Sequence, residues 1–194
     1  VAYPPSKLNT WAFQDYFETL KQFVSRDDPI TWGSSNYGWG GNWLTQCWLR
    51  ANDANMVNLN DNTECMLCTN EAMETLEMIR QAVNEFHSFA YGEEMAGSGV
   101  TALFSAERIA MKEMGSWDLR NTVEQMPDVN WEIAPYPNSP NGVNGSHQST
   151  DGQGAWSNTP HPAEAWALVK EIGSAAFEKL NITYGKLQPS RKSV

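Results

Sequence analysis

The pairing with the most chemical potential in this 194-residue sequence is Cys65-Met-Leu-Cys68, whose spacing suits half of a zinc site or a redox pair. Structural zinc needs four ligands, and no second Cys or His pair of suitable spacing follows. No metal is therefore expected. With Cys47 as the third cysteine, at most one internal disulfide can form: Cys47 with Cys65, Cys47 with Cys68, or Cys65 with Cys68. His87, His147 and His161 are scattered. Ser146, His147 and Asp151 are close in sequence but lack the Gly-x-Ser-x-Gly turn that would expose a nucleophile. Glu93 and Glu94 are neighbours on one chain and so diverge, whereas a glycosidase needs two carboxyls converging from about 5 to 9 Å across a bond. These residues point to no catalytic group and no cofactor.

Nine tryptophans carry the stronger signal, because Trp is enriched where a flat apolar face meets a ligand. Trp11 and Trp166 fall on helix faces and Trp131 in an apolar run, so core packing is expected for all three. Trp32, Trp39, Trp117 and Trp156 lie in or beside glycine turns, where ligand contact and core packing are equally open. A sugar offers C–H faces that stack on such rings, and hydroxyls that need amide or carboxylate partners nearby.

The elements that must position these rings follow from periodicity. Trp11, Phe13, Phe17, Leu20 and Val24 predict a helix over 10–24 capped by Asn9 or Thr10. The stretch from Thr31 to Leu44 carries Trp32, Tyr37, Trp39 and Trp43 through four glycines, which reads as an aromatic loop. It leads into a short helix over 42–50. Ala72, Leu76, Ile79, Val83 and Phe86 predict a second amphipathic helix, with Glu71 and Glu74 at its positive end. A helical turn from Val100, strands over 108–114 and 130–134, and a helix opened by Pro162 complete the reading. Helices separated by short strands argue for an α/β fold.

Composition excludes several classes. Against 13 Lys and Arg stand 23 Asp and Glu, a net charge of −10 that repels nucleic acid and anionic lipid. No apolar run approaches the ~20 residues of a membrane span, so a soluble globular chain is expected. The sequence carries no signal segment, and its two Asn-x-Ser/Thr sequons, at Asn144 and Asn181, are too short a pattern to locate it.

Several short motifs then occur in a recognisable order: Ala110-Met111, Gly115-Ser-Trp117, Ala134-Pro-Tyr-Pro137, Ala163-Glu-Ala-Trp166, and Gly185-Lys-Leu-Gln-Pro-Ser-Arg191-Lys-Ser193. Pro4-Pro5 and Thr10-Trp11 precede them. Together they resemble the family 1 extracellular solute-binding proteins, the sugar-binding subunits of ABC importers that include maltose- and trehalose-binding proteins. Members of that family are longer, so the resemblance implies an internal piece. It would have the periplasmic binding protein type II fold, with residues 1–137 mainly the C-terminal lobe and 138–194 returning toward the other. The implied function is non-catalytic binding of a mono- or oligosaccharide in an interlobe cleft. The implied partner is a membrane permease, and the implied setting is an extracellular or periplasmic monomer, lipid-anchored in some members.

By the same resemblance Trp117 stacks on the sugar and Trp156, in Gly154-Ala-Trp156, lines the cleft. Asp151 and Gln153 are hydrogen-bonding candidates by position, and Tyr37 and Trp39 by loop composition. The rival expectation is a glycan-acting enzyme or its accessory domain with the same rings along a groove. A third is a protein-interaction lobe using the aromatic loop as its interface.

Overall fold

A computed structural model describes residues 11–35, 42–95, 98–148, 152–184 and 188–194. Tyr37, Trp39 and Asp151 lie outside the described residues, as do the expected caps Asn9 and Thr10. The chain forms two compact units: Val1–Glu113 with Val129–Gln148, and Met114–Asp128 with Ser149–Val194. No helix among the described residues is long and apolar enough to cross a membrane.

The first unit is built on α1 (Phe13–Lys21), α2 (Asn42–Arg50) and α3 (Asn70–Asn84). Beside them, β1 (Ser34–Ser35) runs parallel to β2 (Phe89–Ala90). α1 begins later than the periodicity predicts, with Ala12 at its N-cap. Ala12 has no side-chain acceptor, and its own N–H is instead satisfied by the Asp15 carboxylate at 3.0 Å. At α3 the cap is Thr69, whose hydroxyl accepts from the Ala72 N–H at 3.3 Å.

Phe13, Tyr16, Phe17, Trp48 and Phe89 make an aromatic core in which Tyr16 and Trp48 centroids lie 4.6 Å apart. Trp11 is half-buried against it, its indole N–H donating to the Pro135 carbonyl at 3.0 Å. The inward stripe of α3 is Ala72, Thr75, Ile79 and Ala82 rather than the predicted run to Phe86. Phe86 falls beyond the helix and is exposed, with the Lys21 ammonium 3.9 Å above its ring.

The segment expected as a strand over 108–114 makes, among the described residues, a single bridge, between Ile109 and Trp32. Its backbone runs along Trp32 and Gly33 through three hydrogen bonds of 2.8–3.2 Å. Gly33 is obligatory here: a Cβ would stand 2.4 Å from the Leu20 carbonyl oxygen, so α1 could not lie so close to β1. Trp32 is 3% exposed and packs with Ala90, Val100, Leu103 and Ile109, which settles it as core. α4 (Val100–Ser105) supplies two of those residues. No strand forms over 130–134, whose residues pair with no neighbouring strand, and Trp131 there is half-buried rather than core.

The second unit holds α5 (Leu119–Gln125), α6 (Pro162–Ile172) and α7 (Ala175–Thr183). Pro162 opens α6 as its sequence predicts. The Arg191 guanidinium donates twice, at 3.0 and 2.7 Å, to the Gly173 carbonyl, satisfying an acceptor at the end of α6. α6 and α7 pack on each other, yet neither buries a residue completely. Trp166 is 57% exposed, against the expectation of core, because nothing among the described residues covers its face of α6.

Candidate functional site

Trp117 sits in a 3-10 turn, Ser116–Asp118, wedged between Gly115 and α5. The turn is closed by the Asp118 N–H donating to the Gly115 carbonyl at 3.0 Å. It is anchored from below by the buried Thr122, whose hydroxyl donates to the Asp118 carbonyl at 3.0 Å. A hydrogen-bonded turn thus carries an indole that is 45% exposed. Gly115 explains the ring's position: a Cβ there would lie 2.2 Å from carbons of the six-membered ring, so only glycine lets the indole fold back over the backbone.

Trp156 is still more open, at 68%, and its carbonyl accepts from the Thr159 N–H at 3.1 Å in the turn that follows. Gln153 and Gly154 precede it on exposed backbone. Of the seven residues singled out from the sequence, Trp117, Gln153, Gly154 and Trp156 thus belong to the second unit and face solvent.

Glu113, the last residue of the first unit before the Gly115 turn, was missed by the sequence reading. Although the residue as a whole is half-buried, its carboxyl reaches two buried groups. Tyr16 Oη donates to one carboxyl oxygen, and Ser34 Oγ donates to the other at 3.2 Å. Loss of hydration pushes the carboxyl up to about 7. Burial, followed by the field of Glu113, drives the hydroxyls of Tyr16 and Tyr136 well above their usual range and the Cys47 thiol up to about 11. The signal was present in the sequence: Ile109, Met111 and Glu113 alternate along one segment, with Ile109 in the core and Met111 half-buried against it.

A concavity of about 670 Å³ also opens on the first unit, lined among others by Gln14, Asn52, Asp53, Glu71, Glu74 and Asn141. Of the described site candidates, Trp117, Gln153, Gly154 and Trp156, none lines it. The Asp53 carboxylate there is engaged by Asn141, at 3.1 Å from the backbone N–H and 2.9 Å from the side-chain amide. No group of three or more His, Cys, Asp or Glu among the described residues is placed to hold a metal ion.

The family model for bacterial extracellular solute-binding proteins matches residues 2–179. The chain belongs to that family. Its fold agrees: an ABC substrate-binding protein of Listeria monocytogenes, solved in complex with cycloalternan, superposes with a TM-score of 0.76 at 16% identity, covering 99% of this chain and 47% of that one. A solute-binding protein of Thermotoga lettingae bound to α-D-tagatose gives 0.67 at 15% identity, covering 98% and 48%. The maltose-maltodextrin binding protein of Alicyclobacillus acidocaldarius gives 0.63 at 16% identity, again covering 98% and 48%. No curated protein matches. The solute-binding chain thus has the type II periplasmic binding protein fold, an α/β architecture, and spans about half the length of these solved structures.

Proposed function

We propose that the intact protein captures a mono- or oligosaccharide for uptake by an ABC importer, without chemical turnover. The observation that carries this reading is the half-exposed Trp117 indole, folded back against Gly115 on a hydrogen-bonded turn with its other side open to solvent. A rigid aromatic face presented to solvent is what the C–H face of a pyranose or furanose stacks on, and pre-organisation spares the ordering cost of binding. Trp156 offers a second such face, and Gln153 an amide for hydroxyls beside it. Gly154 precedes Trp156 on the same segment, and Tyr37, Trp39 and Asp151 are kept as sugar-contact candidates on the sequence alone. The three solved relatives, holding or named for cycloalternan, tagatose and maltodextrin, support a carbohydrate as the ligand class.

In this reading the chain is mainly the C-terminal lobe of a two-lobed protein. It works outside the cytoplasm as a monomer, free or lipid-anchored, and delivers its sugar to permease subunits in the membrane.

The test is calorimetry on the full-length protein with a panel of mono- and oligosaccharides. Trp117→Ala weakens the best ligand about fivefold or more, the usual worth of an aromatic contact at about 1 kcal/mol. Unchanged affinity removes Trp117 from the site. New reducing ends released from a labelled oligosaccharide would instead identify a glycan-acting enzyme.

A further inference from the structure

Among the described residues of the second unit, only Thr122 in α5 and Met126 at its end are buried. A unit with so little interior is not closed by its own residues. α6 shows what is left open. Its half-buried residues Ala165, Val169 and Ile172 follow at steps of four and three, one stripe along the helix, and α7 packs on α6. Leu168 and Trp166 flank that stripe on its two sides, and both are exposed. The apolar arc from Leu168 to Trp166 therefore covers about 160° of the helix at about 100° per residue, with Glu164, Lys170 and Glu171 opposite. A helix resting on its protein through one face needs roughly 100°. α7 repeats the pattern: Phe177 is half-buried, while Leu180 and Ile182 are exposed.

We propose that this apolar surface of α6 and α7 is an interface inside the intact protein, covered permanently by the part of the solute-binding fold that lies outside residues 1–194. The length of the relatives names the occupant. They match 98–99% of this chain, which spans only 47–48% of theirs, so their fold is built with more than as much chain again. A second copy of this chain would repeat the half already present. A transient partner such as a permease would leave an indole and leucines bare between encounters, and permanent interfaces are the more hydrophobic ones. The inference rests on the two-lobed reading above and not on the identity of the ligand.

The test places photoreactive p-benzoylphenylalanine at Trp166, and in a second variant at Leu180, in the full-length protein. Each variant is irradiated without sugar, and the cross-linked peptides are mapped by mass spectrometry. The expected products run at monomer mass on a denaturing gel and join positions 166 and 180 to peptides outside residues 1–194. Cross-linked dimers would assign the face to a second copy, joins confined to residues 1–194 would assign it to the chain's own residues, and no joins at all would leave it to solvent; each overturns the proposal. Hydroxyl-radical footprinting of the unaltered protein guards against a variant that misfolds. Trp166 is expected to be oxidised as slowly as the buried Trp32, with both losing their protection in urea. Trp166 oxidised as fast in the native protein as in urea overturns the proposal without any variant. Failure of every sugar to bind in calorimetry would sink the carbohydrate reading and leave these outcomes unchanged.

Discussion

Replacing Glu113 with glutamine isolates the energetic cost of a buried carboxyl. The folded chain holds this group at about 7, against 4.5 for an ordinary glutamate, because its hydration is lost among Tyr16, Ser34 and their neighbours. Between those two values the folded state keeps a proton that the unfolded state has released. Stability is therefore complete below about 4.5 and declines as pH rises through 7. The gap corresponds to up to about 3 kcal/mol at alkaline pH. Glutamine copies the neutral form: its carbonyl accepts from Tyr16, and its amide can donate to the Ser34 hydroxyl. Urea unfolding of both proteins at pH 5 and pH 8 measures the effect, and taking the difference between them cancels groups common to both, including the three histidines. At pH 5, just above the unfolded value, the two curves differ by only about 1 kcal/mol or less. At pH 8 the variant is the more stable by about 2 to 3 kcal/mol. Parallel pH profiles for the two proteins would refute the buried, uncompensated carboxyl.

Gly115→Ala is expected to displace the Trp117 indole, since the new methyl meets the ring at 2.2 Å. In the full-length protein, sugar affinity measured by calorimetry falls as far as in Trp117→Ala, while thermal unfolding shifts little because the ring is half-exposed. Thr69→Ala removes the hydroxyl that caps α3 and costs about 1 kcal/mol in denaturant unfolding.

The helices were largely legible because a helix face is written in local spacing. The apolar positions of α1 and α3, and Pro162 at the head of α6, specify elements before any tertiary contact forms. The family was legible for a different reason, since its short motifs follow one another in a fixed order. What spacing could not distinguish was one glycine-flanked tryptophan from another. Trp32 became core because the extended segment around Ile109 and the α4 helix close over it, whereas Trp117 and Trp156 sit on turns and stay 45% and 68% exposed. Trp166 reversed its expectation in the same way: a helical period says which side a residue occupies, and only a second layer of chain decides whether that side is buried.

Glu113 is the sharpest case. Its alternation with Ile109 and Met111 is local, but its carboxyl is pushed up by burial and only partly pulled back by hydrogen bonds from Tyr16 and Ser34, 97 and 79 positions away, surroundings that exist only when the first unit folds. By itself, then, the sequence determined α1 to α4 and α6, the family and the glycine turn that carries Trp117, while α5 and α7 went unread. Burial, and with it proton affinity and the choice between core and ligand-facing tryptophan, was decided by tertiary structure, because loss of water depends on what packs from elsewhere in the chain.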